Sequence, residues 1–125
     1  MSCQGQTKLT LSKQLYIQNF IRINFIDILL CQETRIENDT FKRCDYLQNN
    51  FTIINNNTEN EYGTVSLIKN NIQVQDVAFD TKGRVIALNT GNITIINIYP
   101  KAGTDAESRR LREELFANTI PNMLK

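Results

Sequence analysis

The sequence contains no histidine. Any hydrolytic mechanism that needs an imidazole cannot find one in these residues. Cysteine is also sparse, with Cys3, Cys31 and Cys44 only. The odd count and irregular spacing argue against a disulfide framework, and no CxxC pair suggests zinc. No apolar run approaches the ~20 residues that span a bilayer, so a membrane partner is not expected. The opening residues, MSCQGQTK, lack the apolar stretch of a secretory signal. An intracellular, reducing compartment is therefore expected. The four Asn-x-Thr sequons at Asn38, Asn50, Asn56 and Asn92 then read as by-products of an asparagine-rich composition. Lys+Arg total 14 against 13 Asp+Glu, a net charge of +1. That balance gives no broad basic surface for nucleic acid or acidic lipid, although a local patch remains compatible with it.

What is present suits one small α/β unit. The chain has 125 residues with 41% apolar content, enough for a single domain with a real core. Tyr16, Ile17, Phe20 and Ile21 recur at helical spacing, which predicts a helix over Ser12–Arg22, with Thr10 or Ser12 as its cap. Phe25–Cys31 is almost continuously apolar and predicts a strand covered on both faces. A polar segment follows, with a helical turn expected near Phe41–Tyr46. Further strands are predicted at Phe51–Ile54, Gly63–Lys69, Ile72–Phe79, Arg84–Asn89 and Asn92–Tyr99, with Asn55–Tyr62 a polar loop. Asn70-Asn71 fits a tight turn through tolerance of positive φ. A phase shift at Asp76-Val77 suggests a bulge. Ala106–Asn118 reads as a helix closed by Pro121. Arg109, Arg110 and Arg112 alternate with glutamates, as on a solvated face with i,i+4 pairing.

Two stretches carry candidate chemistry. In DILLCQETRI (Asp27–Ile36) the apolar run stops at Gln32-Glu33-Thr34. The ordinary reading is a strand end meeting solvent. The functional one is Glu33 as a hard oxygen ligand for Mg²⁺, at the carboxyl end of a strand where active sites of α/β sheets gather. In ITIINIYPKAGT (Ile93–Thr104) a second apolar strand ends at Asn97 and Tyr99. The ordinary reading is a core strand with a half-buried tyrosine. The functional one sets the Tyr99 hydroxyl near Glu33, to donate a hydrogen bond to a phosphate oxygen.

Taken in order, DILLCQET, GTVSLIKN, GRVIAL, ITIINIYPKAG and LREELFANTIPNML resemble the endonuclease/exonuclease/phosphatase superfamily. Within it the likeness is greatest to the apurinic-type endonuclease domain of non-LTR (LINE-like) retrotransposons, from about Leu9 to Lys125. The resemblance implies a partial sandwich of that type, a mixed sheet with flanking helices, as a single truncated unit over residues 1–125. It implies that Glu33, in the "QE" motif, is a ligand of Mg²⁺. Tyr99, at the "N-x-Y" strand end, would lie against the scissile phosphate, and Asn97 would hold a supporting, positional role. DNA would be the substrate and, for a retrotransposon protein, the nucleus the location.

The departures from the family pattern are large. Pro100 follows Tyr99 directly, where the family has "Y-A-P". The family's leading strand with its active-site asparagine has no counterpart in MSCQGQTK. The "GDFN"-like and "SDH"-like segments are also absent, and with them the aspartate and histidine that orient the attacking water. The expectation is roughly the first half of a Mg²⁺-dependent DNA endonuclease domain, inactive alone and partnered by a C-terminal half. The alternatives are a non-catalytic remnant or binding module, or a phosphatase-type member of the superfamily.

Overall fold

The computed structural model describes residues 11–32, 34, 44–58 and 61–124. The chain runs α1 (Leu11–Ile23), β1 (Ile28–Gln32), α2 (Asp45–Asn50), β2 (Phe51–Thr58), β3 (Glu61–Lys69), β4 (Asp76–Phe79), β5 (Val85–Asn89), β6 (Thr94–Ile98) and α3 (Ala106–Glu114). A π-helical segment, Leu115–Thr119, leads into α4 (Ile120–Met123).

The strands form two three-stranded sheets, ordered β1-β3-β2 and β4-β5-β6, and every pairing among them is antiparallel. Successive side chains of a strand point to opposite faces, and this alternation builds four layers. In the first sheet, Leu29, Cys31, Phe51, Val65 and Leu67 face the helices, packing with Ile17 and Ile21 of α1 and Leu47 of α2. Their alternates, Ile54 and Ile68, meet Ile86 and Leu88 of the second sheet. On the far side Val85, with Ile96 and Ile98 partly buried beside it, packs under Leu115 and Ile120. The order is helix, sheet, sheet, helix. Burying each such Leu or Ile contributes about 1.5–3 kcal/mol relative to exposure, so both outer faces and the interface between sheets hold the fold together. The partial α/β sandwich read from the sequence is what forms.

Several local expectations give way. The strand predicted from Phe25 begins at Ile28. Phe25 instead ends α1 in the left-handed region (φ 53°), while the Ile26 N–H donates to Ile21 O at 3.1 Å. That is the 6→1 bond of a Schellman cap, usually built on glycine. Tyr16 stacks on Phe20 with ring centroids 6.3 Å apart, but only Ile17 and Ile21 are buried on this face. Ser12 lies inside α1, which starts at Leu11, and Thr10 lies outside the described residues.

The helical turn expected near 41–46 is α2 at Asp45–Asn50, with 41–43 outside the described residues. The polar loop read over Asn55–Tyr62 is mostly strand, because β2 runs to Thr58 and β3 begins at Glu61, with a register shift between Asn56 and Thr58. Asparagine disfavours strands on average, but Asn56 is satisfied by side-chain partners described below. The phase shift at Asp76-Val77 marks the true start of β4 rather than a bulge. The turn at Asn70-Asn71 exists, closed by Ile72 N–H to Lys69 O at 2.9 Å, yet Phe25 is the single non-glycine residue with positive φ among the described ones. Gly91, in the β5–β6 turn, does need its lack of a side chain: its φ is 95° and a Cβ would meet Gln75 Nε2 at 2.7 Å.

Pro121 does not close the last helix. A proline lacks the N–H that would bond four residues back, and its ring crowds that carbonyl. The helix widens into the π segment immediately before it, with Ile120 N–H reaching Leu115 O, and resumes as α4.

The strain at Phe25 is testable, because its side chain is 89% exposed and loses little burial on removal. Left-handed backbone costs a non-glycine residue about 1–2 kcal/mol, against about 0.5–1 kcal/mol for glycine's extra chain entropy. Phe25→Gly is expected to stabilise the protein by about 0.5–1 kcal/mol in urea denaturation, and a loss of stability would show that Phe25 packs usefully.

Candidate functional site

The two sheets meet at one end of the sandwich through polar groups rather than apolar ones. This end holds the last residues of β1 and β6 and the first residues of β5. Asn97, 1% exposed, belongs to β6, on the face that looks at the first sheet. Its Nδ2 donates to Cys31 O (3.3 Å), Val65 O (3.1 Å) and Ser66 Oγ (3.2 Å). Its Oδ1 accepts from Gln32 Nε2 at 2.8 Å. Both ends of the carboxamide are therefore committed inside the protein.

A second amide works in the opposite direction. Asn56 of β2 donates to Asp80 Oδ1 (2.9 Å), just after β4, and to Val85 O (2.9 Å) at the start of β5. Asp80 also accepts from the backbone N–H groups of Arg84 and Val85, each at 2.9 Å, and pairs with Arg84 Nε at 3.5 Å. A buried carboxylate held by this many donors is a structural knot that closes the β4–β5 turn. Gly63 N–H donates to Gly83 O at 3.0 Å, a third link between the sheets.

The sequence candidates fall on this end as follows. Glu33 lies outside the described residues, and so does its separation from Tyr99. Its neighbours are placed. Gln32 bonds Asn97, and Thr34 is buried with its hydroxyl donating to Asn57 Oδ1 at 3.2 Å. The ends of β1 and β6 are thus brought together across the two sheets. Tyr99 is half-buried and extends the β5–β6 ladder, its N–H donating to Arg84 O at 2.7 Å. Strand alternation sets it on the same face as Asn97. Beyond it, Arg112 Nη1 donates to Lys101 O and Gly103 O, both at 2.7 Å. Arg112, expected on a solvated helix face, instead fastens the loop after Pro100 to α3. Arg110 does pair with Glu114 at 3.5 Å, an exposed i,i+4 contact of about 0.3–0.5 kcal/mol.

That loop enters α3 through Asp105. Its carboxylate accepts from Ser108 N–H (3.1 Å) and Ser108 Oγ (2.7 Å). Gly103 (φ 124°) keeps the approach open, since a Cβ there would meet Ser108 Oγ at 2.8 Å. The Ser108 hydroxyl, then its N–H, hold the Asp105 carboxyl below its ordinary value of 3.8. No group of three His, Cys, Asp or Glu side chains that could hold a metal occurs among the described residues. With Asp80 engaged by its own hydrogen bonds, these residues do not by themselves form a Mg²⁺ site.

Asn56, Asp80 and Arg84 were missed in the sequence. The available signal was a carboxylate in a DTKG turn beside a basic residue, and an asparagine in a run that could equally be loop.

No family model and no curated protein matches the sequence. Solved structures do match. The 3′ phosphatase NExo from Neisseria, solved with a product DNA hairpin, superposes with TM-score 0.74 at 23% identity, over 94% of this chain and 48% of that one. An AP endonuclease from Archaeoglobus fulgidus gives 0.71 at 20%, again over 94% and 48%. Truncated TDP2 from Caenorhabditis elegans gives 0.59 at 17%, over 95% and 49%. At these identities the likeness establishes a shared fold, the endonuclease/exonuclease/phosphatase sandwich. The chain spans about half the length of these structures.

The seam and the cap of α3 are each open to test. Replacing Asn97 by Ala strands Gln32 Nε2 and at least one buried carbonyl. A loss of about 2–4 kcal/mol in chemical denaturation is expected, and a loss under about 0.5 kcal/mol would refute the clamp. For Asp105, a lowered folded pKa means that the cap contributes fully above the unfolded value of 3.8 and fades as pH falls through the lower folded value. Asp105→Ala should therefore reduce the urea midpoint at neutral pH, with the gap from the parent protein closing in that acidic window. A gap independent of pH would mean that the carboxylate charge is not what caps α3.

Proposed function

We propose that this chain is the first half of a Mg²⁺-dependent DNA endonuclease domain, most similar to those of retrotransposons, with the nucleus as its place of action. The observation that carries the reading is the convergence of the β1 and β6 ends through the Gln32–Asn97 bond. The motif order noted in the sequence supports it, and so does a fold shared with DNA-processing enzymes. Those neighbours are named as a 3′ phosphatase, a 3′–5′ exonuclease and an AP endonuclease, so attack at a DNA phosphate is the chemistry they have in common.

In this reading Glu33 is the one carboxylate that the chain contributes to Mg²⁺. The ion wants about six oxygens, so further ligands belong to the rest of the domain. Tyr99 steadies the phosphate by donating from its hydroxyl, held in place by the Arg84 ladder bond and by the loop that Arg112 fastens. Asn97 is a positioning residue, since its amide is consumed in joining the sheets. The water-orienting aspartate and histidine also lie in the second half.

The test compares the 125-residue chain with a longer polypeptide supplying the leading strand and second half, each incubated with supercoiled plasmid and Mg²⁺. Nicking is expected from the longer protein alone. In it, Glu33→Ala should abolish nicking and Tyr99→Phe should lower the rate about 10²-fold. Robust nicking by the short chain would overturn the proposed division of labour. Full activity of Glu33→Ala would make Glu33 a strand end that meets water.

A further inference from the structure

At the end of the first sheet opposite Gln32, where α1 and α2 cover the strands, a cleft of about 440 Å³ opens. It begins at Asp27, about 16 Å along β1 from Gln32 at ~3.3 Å per residue. Its floor is apolar, formed by the buried Ile21 and Phe51. Its walls carry two rings, Phe25 and Tyr46, and two cations, Arg22 and Lys69. Arg22 lays its guanidinium by the Tyr46 ring, with Cζ 6.0 Å from the centroid. No carboxylate among the described residues pairs with it. Lys69 meets Asp27 at 3.7 Å, and both are well exposed, so this pair contributes little. With Asp27 the one anion lining the cleft, its charged side chains sum to +1. Phe25 is the strained member. It holds a left-handed backbone (φ 53°) with its side chain almost fully exposed, where glycine would cap α1 without strain. Strained non-glycine backbone collects at ligand clamps, and an exposed ring beside a cleft is a stacking surface.

We propose that this cleft binds a small planar anion, an aromatic ring carrying a phosphate, as in a nucleoside monophosphate. The ring stacks on Phe25, and Arg22 holds the phosphate with Lys69 beside it. A guanidinium suits that task, because its planar fork makes two parallel N–H···O bonds to a phosphate. Its present contact with Tyr46 lies at the ~6 Å limit of cation–π attraction, a weak hold to give up. The volume falls within the ~300–1,000 Å³ of small-molecule sites. The net charge selects an anion, and the two rings select an aromatic one. Every wall named comes from α1, the α1–β1 connection, α2, β2 and β3. This inference uses none of the proposed phosphodiester chemistry and stands whether or not the nuclease reading holds.

Calorimetric titration of the 125-residue chain with adenosine monophosphate tests it, with adenosine and inorganic phosphate as separate arms. Saturable binding of the monophosphate is expected, at least about tenfold tighter than either part alone and weaker as salt rises. Phe25→Gly should weaken it at least about fivefold while raising the urea midpoint. A purely structural residue would move stability alone. Phe25→Tyr keeps a ring and should keep the affinity. Arg22→Met keeps the stem without the charge, and should weaken binding about tenfold and flatten its salt dependence. If Phe25→Gly loses stability instead, Arg22→Met decides. A 5′-phosphorylated oligonucleotide identifies the source: tighter binding than the monophosphate assigns the cleft to strand ends, and equal or weaker binding assigns it to the free nucleotide. No saturation below about 1 mM overturns the proposal. So does adenosine binding as tightly as its monophosphate, or an affinity unchanged by both Phe25→Gly and Arg22→Met.

Discussion

The carboxamide of Asn97 sets the placement of one sheet on the other. Hydrophobic burial between the sheets is not directional: Ile54, Ile68, Ile86 and Leu88 would tolerate small sliding at little cost. A buried amide does not. Asn97 must reach carbonyls on β1 and β3 while accepting from Gln32, and these bonds form together in one relative placement only. Failing to make them would cost the desolvation of each group left behind. Asn56 imposes the same demand from the first sheet onto Asp80 and Val85. The apolar residues supply the driving force for stacking, and the two asparagines select its register.

That constraint also decides which strand ends meet. Gln32 is the last residue of β1, and Asn97 stands two before Tyr99. Tying these side chains together brings two strand ends from different sheets to one place. A rigid strand end fixes a side chain with little entropy left to lose, while the adjoining loop leaves space for a ligand. On the β6 side the loop is itself restrained, because Arg112 reaches back from α3 to Lys101 O and Gly103 O. The arginine that sequence spacing assigns to a solvated face is thus part of the support beneath Tyr99.

Much of the layering was legible in the sequence, because alternation and helical spacing report burial directly. The strand expected to be covered on both faces, the α/β order and the helix carrying Ile17 and Ile21 all follow from that pattern. Most of the failures share one physical cause: polar residues whose partners are distant in sequence. Asn55–Thr58 looked like loop because asparagine is costly in a strand unless satisfied, and its satisfaction comes from Asp80 and Val85, more than twenty residues away. The Asp80–Arg84 knot, whose own bonds are local, looked like an ordinary turn because the residue that ties it to the first sheet, Asn56, is distant in sequence. Phe25 misled in another way. A bulky apolar residue beside an apolar strand reads as strand, and only the helix cap reveals the left-handed bend. Of the site, the Asn97–Tyr99 strand end was legible as a strand ending in polar groups, but the cross-sheet role of Asn97 depends on tertiary neighbours.

β6 is shared by the inter-sheet seam and the helical layer. Its inner face carries Asn97 into the seam and leads to Tyr99. Its other face lays Ile96 and Ile98 against Leu115 and Ile120 of the helical layer. A displacement at either face therefore shifts the strand end at which Tyr99 stands, through one five-residue strand.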